Sequence, residues 1–191
     1  MDKKILFLGL FMIIFAACGS PPEDMQRAII NNEVVEQNNI ELNEENLVPI
    51  NPSNSHFEFQ GYGPGRDHIG TFEVWDGFFI IENDQIVGAY GTIDPATVET
   101  DSSGLDRHLK SSDFFDVEQF PEITIRSKSI SDGSMTAELY FHGVRKDINF
   151  PVEIDHENYS ISSEFILSMG EFGISYTGVN DEVRIQFDFR N

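Results

Sequence analysis

Met135-Thr136-Ala137-Glu138-Leu139-Tyr140-Phe141 runs into His142-Gly143 and is answered by Ile148-Asn149-Phe150-Pro151-Val152-Glu153-Ile154. Apolar and polar residues alternate through both runs. A β-strand sends successive side chains to opposite faces, so this rhythm means one buried and one wet face. It recurs in His56-Phe57-Glu58-Phe59-Gln60, Ile123-Thr124-Ile125-Arg126, Tyr159-Ser160-Ile161-Ser162-Ser163-Glu164-Phe165 and Val183-Arg184-Ile185-Gln186-Phe187-Asp188-Phe189. Turn-forming residues lie between the runs: Glu82-Asn83-Asp84, Asp132-Gly133, His142-Gly143, His156-Glu157-Asn158 and Asn180-Asp181. Asp132-Gly133 is the strongest hairpin signal, because a type I′ turn needs positive φ at both central residues. About eight strands at hairpin spacing predict an all-β chain with an antiparallel barrel or sandwich. Pro151 falls on the outward register, where proline suits an edge or a bulge.

One stretch breaks the pattern. Residues 102–110, Ser-Ser-Gly-Leu-Asp-Arg-His-Leu-Lys, read as a short helix. Ser103 with Asp106 three residues on resembles a capping box. Leu105 and Leu109 share a face at i, i+4. Phe114 and Phe115 follow directly, so this helix is expected to plug or cover one end of the barrel.

The N-terminus has a different character. Met1-Asp2-Lys3-Lys4 precedes an apolar run from Ile5 to Phe15, then Ala16-Ala17-Cys18. A basic start, a short apolar stretch and small residues before a cut site predict a signal peptide over residues 1–17. The run is too short to span a bilayer core as a helix. Cys18 is the chain's single cysteine, so it has no internal disulfide partner. Its place resembles a lipobox, with Phe15 where that motif usually has an aliphatic, and Cys18 is the expected site of lipidation. Residues 18–53 are rich in Asn and Glu and contain Pro21-Pro22. Ile29, Ile30, Val34 and Val35 allow at most a weak helical turn or two. The segment is expected to be a flexible acidic tether, with a reach of roughly 30–35 Å for about 35 residues. Residues 54–191 are then the folded domain.

The net charge of −21 becomes −22 once residues 1–17 take Asp2, Lys3 and Lys4 away. Such a surface excludes nucleic acid as a partner, since that needs clustered Lys and Arg. It also repels anionic membrane surfaces, so membrane attachment has to come through the N-terminal lipid. Gly19-Ser20 lacks an aspartate that would hold a lipoprotein at the inner membrane. The expected location is therefore the bacterial envelope, on the outer membrane or facing the periplasm.

The domain resembles a known family. Leu105 to Asp116 with Phe120-Pro121-Glu122-Ile123-Thr124-Ile125 is similar to the central motif of the YceI-like family. Leu139 to Lys146, leading to Phe150-Pro151-Val152, is similar to its second block. Phe172-Gly173-Ile174 with Asp181 to Ile185 matches a third, and His68-Ile69-Gly70-Thr71-Phe72 matches the opening strand pair. The resemblance implies an eight-stranded antiparallel lipocalin-like barrel with a helix against it, in a family associated with binding a polyisoprenoid chain.

The residues limit the chemistry. An eight-stranded barrel has room for its own side chains or for one slim ligand. The inward register gives Phe57, Phe59, Ile123, Ile125, Leu139, Phe141, Ile161, Phe165, Phe187 and Phe189, with Ile148, Phe150 and Val152 from the strand of even register. Phenylalanine offers apolar area with no polar handle. The candidate lipid-contacting set is Phe57, Phe59, Phe72, Phe115, Ile123, Ile125, Leu139, Phe141, Ile148, Phe150, Phe165 and Phe187. A filled core would show the same pattern, so a ligand-free barrel serving as an envelope interaction module stays open beside a lipid carrier, and haem or quinone binding is a third reading. No catalytic residue is legible. Gly173-Ile174-Ser175-Tyr176-Thr177-Gly178 misses nucleophile-elbow spacing, and no carboxylate pair stands out as acid and base. No two of His56, His68, His108, His142 and His156 are spaced as a metal pair. Asp101, Asp106, Asp113 and Asp116 do not follow an EF-hand. His68 stands out, beside Arg66 and Asp67 and after the glycine-rich bend Gly61 to Gly65. The chain is expected to be no enzyme and to need no cofactor or metal beyond a bound isoprenoid lipid.

Overall fold

The computed structural model describes residues 19–31, 44–63, 65–177 and 179–191. The expected signal segment, Cys18, Val34 and Val35 lie outside the described residues. In chain order the elements are β1 (Ile29–Asn31), β2 (Leu47–Pro49), β3 (His56–Tyr62), β4 (Asp67–Phe72), β5 (Trp75–Glu82), β6 (Gln85–Ile93), β7 (Val98–Thr100), α1 (Ser103–Lys110), β8 (Ile123–Ser131), β9 (Ser134–Phe141), β10 (Val144–Pro151), β11 (Glu153–Asp155), β12 (Ser160–Ser168) and β13 (Glu182–Arg190). One sheet has the order β1-β10-β9-β8-β6-β5-β2, the other β11-β12-β13-β3-β4-β7. Neighbouring strands within both sheets are antiparallel.

The all-β architecture with one α-helix agrees with the sequence. The single eight-strand sheet does not: the described residues form thirteen strand segments in two sheets. The cause is visible where the chain changes sheet. Pro151 ends β10 opposite Ser134 and has no N–H to carry the ladder further. The Val152 N–H turns to the Gly133 carbonyl at 2.8 Å, and β11 continues in the other sheet.

Three hairpins are set by local backbone chemistry. Asn83 and Asp84 have φ of 49° and 59°, Asp132 and Gly133 50° and 72°, His142 and Gly143 49° and 76°. Positive φ at both central residues matches the right-handed twist of the flanking strands. Each turn fixes a register, and the register puts Met135, Ala137, Leu139 and Phe141 on the buried face. Gly70 has a different reason to be glycine. It pairs with Phe59, whose ring covers it so closely that a Cβ would lie 2.3 Å from Cζ.

The expected tether does not hold for its described parts. Gln26 and Ala28 exchange hydrogen bonds with Ile166 of β12, at 2.9 and 2.8 Å. From Ile29 onward the same segment is β1 on the edge of β10. One stretch of chain therefore stitches the two sheets together. Leu47–Pro49 lies on the edge of β5, after which Ile50 donates to Gly77 and Asn51 to the carbonyl of Arg190 in β13. A segment too polar to make a core still folds when it completes open edges, because unpaired strand N–H and C=O groups need partners. Ala28, Ile30 and Val48 add apolar contact with the core.

Helix α1 starts one residue later than the pattern predicts. Its N-cap is Ser102, which makes no side-chain cap bond. The capping box is not formed either. The Asp106 carboxylate instead accepts from the Thr100 N–H and hydroxyl, at 2.8 and 2.6 Å, tying the helix to β7.

Gly143 tests the turn argument. A Cβ there would sit 2.6 Å from Cε1 of Phe120, in a backbone that branched residues rarely adopt. Gly143→Val is expected to lower stability in denaturant titration by about 1–3 kcal/mol. An unchanged midpoint would contradict this assignment.

Candidate functional site

The inner faces of the two sheets do not close into a solid core. Aromatic rings pair within the wall: Phe150 stacks on Phe165 at 4.6 Å and Phe187 on Phe189 at 4.6 Å. Phe72 lies within 6 Å of Phe57, Phe59 and Phe115, at centroid distances of 5.8, 5.6 and 5.9 Å. A cavity of about 470 Å³ remains among these rings, with an almost entirely apolar wall. All twelve of the candidate residues line it: Phe57, Phe59, Phe72, Phe115, Ile123, Ile125, Leu139, Phe141, Ile148, Phe150, Phe165 and Phe187. Ile161 and Phe189 line it too. Val152 is buried outside it. The volume lies in the range of small-molecule sites, and the lining has the apolar bias of such sites.

Sequence reading missed other parts of the wall. Trp75, Phe79, Ala89 and Ile93 come from β5 and β6, where Gly77, Gly88 and Gly91 blur the alternation. Tyr176, Thr177 and Asp181 are exposed wall residues and mark a mouth, with Leu105 and His108 of α1 beside them. His108 packs edge-on to both Phe114 and Tyr176, at 4.9 and 5.1 Å. The helix thus covers one end of the chamber, as its position in the sequence implied.

The histidines separate by environment. His156 Nδ1 accepts from the Ile86 N–H at 3.0 Å, and His142 Nδ1 meets the Phe172 carbonyl at 3.2 Å. Both hold loops. His56 is exposed beside Glu58. His68 lines the chamber, and its Nδ1 lies 2.7 Å from the Asp101 carboxylate. That bond, with Arg66 behind it, holds the Asp101 carboxyl below the usual carboxylate range. Among the described residues no three His, Cys, Asp or Glu side chains converge on a possible metal position.

Two buried polar features also escaped the sequence reading, and the second, Tyr62, lines the chamber. Lys128 sits where β8 gains a residue against β9, and it is 3% exposed. Its ammonium pairs with the buried Asp147 at 2.7 Å. Tyr62 is buried with its hydroxyl unpaired, and burial pushes its phenol up.

Taken together, the molecule is a small β-barrel-like domain built from two stitched sheets around one apolar chamber. A model of the YceI-like domain matches residues 49–190, and the chain belongs to that family. A UPF0312 protein of Staphylococcus aureus (strain USA300) is 32% identical over 90 residues, 45% of this chain and 52% of that one. The chain spans about half the length of the curated relatives it matches. In fold it is similar to Burkholderia cenocepacia BcnA, with a TM-score of 0.64 at 16% identity, covering 74% of this chain and 99% of that one. It is also similar to a polyisoprenoid binding domain from Saccharophagus degradans implicated in plant cell wall breakdown. There the TM-score is 0.60 at 13% identity, covering 74% and 95%.

Leu139 distinguishes an open chamber from a filled core. Leu139→Trp adds bulk at the wall without adding charge. With a real cavity, the ring occupies free space and stability changes by less than about 1 kcal/mol, while capacity for an apolar ligand falls. In a packed core the same change costs about 1–3 kcal/mol. A thermal melt read beside a ligand-uptake assay decides, and a sharply lowered midpoint contradicts the open chamber.

Proposed function

We propose that this protein is a lipid-anchored envelope protein whose chamber binds one apolar chain, of isoprenoid kind, for carriage or sequestration. The observation that carries the reading is the apolar cavity of about 470 Å³, open at its mouth. Burying an apolar chain there releases water from both surfaces, at roughly 25 cal/mol per Å². The Saccharophagus domain of the same fold is named for polyisoprenoid binding, which is the ligand class that this wall suits. No residue is assigned a catalytic role. The wall is dominated by phenyl rings and aliphatic groups.

The anchor is read from the signal-like start and the single cysteine at its end. The fold gives that reading a consequence. Gly19, next to Cys18 in the chain, packs against Asp67 and Tyr62, on the hairpin whose Gly61, Gly63 and His68 line the chamber. An acyl group on Cys18 therefore brings the bilayer beside the mouth, and a chain can pass between the two with little exposure to water. A strongly acidic domain has no electrostatic affinity of its own for anionic lipid.

The reading is tested by metabolic labelling of cells with a fatty-acid probe, for wild type and Cys18→Ser. Label is expected on the wild type and absent from the variant, which should stay as a full-length precursor or become soluble. Equal labelling of both contradicts the anchor. Uptake of an added isoprenoid by the soluble variant should match wild type, since the substitution changes none of the wall residues named above. Failure of both proteins to take up any chain contradicts the carrier.

A further inference from the structure

Most of the chamber wall is hydrocarbon; apart from Ser127, which accepts from the Ala89 N–H, and the buried Tyr62 hydroxyl, its polar groups stand mainly in two places. At one, Thr92 donates to Asp76 at 2.7 Å, so those groups satisfy each other. At the other, near the mouth, His68 stands on the inner face of β4 in line with Gly70 and Phe72. Asp101 accepts from its Nδ1, and a carboxylate there fixes the proton on that nitrogen. In the neutral ring the lone pair then belongs to Nε2. Nε2 makes no hydrogen bond among the described residues, although the ring is only 25% exposed. A half-buried imidazole with one nitrogen committed and the other open to an apolar chamber is a hydrogen-bond acceptor in need of a donor.

The charge around it selects the kind of donor. Arg66 is matched by Asp101 at 3.3 Å. Asp67 lies next to His68 in the chain, and Asp181 lines the same wall. A phosphate or carboxylate head would meet these acids at short range, and among the described residues no Lys or Arg lines the chamber wall to offset them. A hydroxyl would meet no such opposition.

We propose that His68, held by Asp101, binds the neutral hydrogen-donating head of the apolar chain, a long-chain alcohol of prenol type, at the mouth of the chamber. This rests on the chamber binding an apolar chain. It adds that the chain enters tail first, with its hydroxyl on Nε2 and its hydrocarbon among the phenyl rings. Asp101 acts as a positioning residue, and His68 touches the ligand.

The test compares three C20 probes of the same saturated skeleton on the full chain: phytanol, phytanyl monophosphate and the hydrocarbon phytane. Trp75 is the only tryptophan and lines the chamber, so its fluorescence reports binding. One net hydrogen bond corresponds to a preference of up to about tenfold. The alcohol is expected to bind several-fold to tenfold tighter than phytane, and tighter than the phosphate. His68→Phe should erase the preference for the alcohol while keeping phytane binding. His68→Gln, whose amide oxygen can still accept, should restore part of it. A thermal melt of each variant shows that the fold is kept. Equal binding of alcohol and phytane, tighter binding of the phosphate, or an alcohol preference that survives His68→Phe overturns the head-group site while leaving the chamber intact. Binding of none of the three overturns the chamber reading itself, and this proposal with it.

Discussion

Two curved sheets that share an apolar inner face must be closed along both seams, and the rest of this structure depends on how that is done. Strand edges leave backbone donors and acceptors without partners. At one seam residues 26–31 serve both sheets in turn, first Ile166 and then β10. At the other, residues 47–51 pass from β5 to the end of β13. Were these segments free, the gaps would admit water to the phenyl rings. The chamber is apolar because the staves are in place, so the stretch before the family-matched region belongs to the fold as well.

The inner and outer faces divide the chemistry. Inside, ring pairs support one another and leave space at the centre. Outside, charge is organised across strands: Arg184 reaches Glu164 and Glu58, while Arg145 pairs with Glu138 and lies 4.5 Å over the Tyr140 ring. Lys128 and Asp147 are the exception, an ion pair taken out of water. Such a pair contributes little net stability, but losing one member leaves a buried charge that costs about 3–5 kcal/mol. The bulge at Lys128 places its ammonium against Asp147, a register detail that fixes how β8, β9 and β10 lie against each other.

Much of this was legible in the sequence. Period-two alternation gave the wall residues of β3, β8, β9, β10, β12 and β13, because burial on one face leaves a direct imprint on the order of residues. Asp132-Gly133 and His142-Gly143 were visible for the same kind of reason, since backbone conformation restricts which residues can serve. Other features left no local trace. Ile29 and Ile30 pair with a strand more than a hundred residues away, and nothing in their neighbours records it. The double role of Asp106, the ring of Phe59 over Gly70 and the partner of Lys128 are all contacts across the fold. Whether fourteen phenylalanines outside the signal segment fill a core or surround a space depends on curvature, which alternation does not encode.

The central claim is that the chamber holds an apolar chain in the cell. The most direct measurement is organic extraction of the full-length protein after native purification, with the extract and the intact complex both weighed by mass spectrometry. The account predicts one isoprenoid-type chain bound at close to one per protein, lost on extraction and matched by a shift in the mass of the intact complex. Protein of unliganded mass, with no apolar molecule in the extract above the level from an unrelated protein purified in parallel, would contradict it.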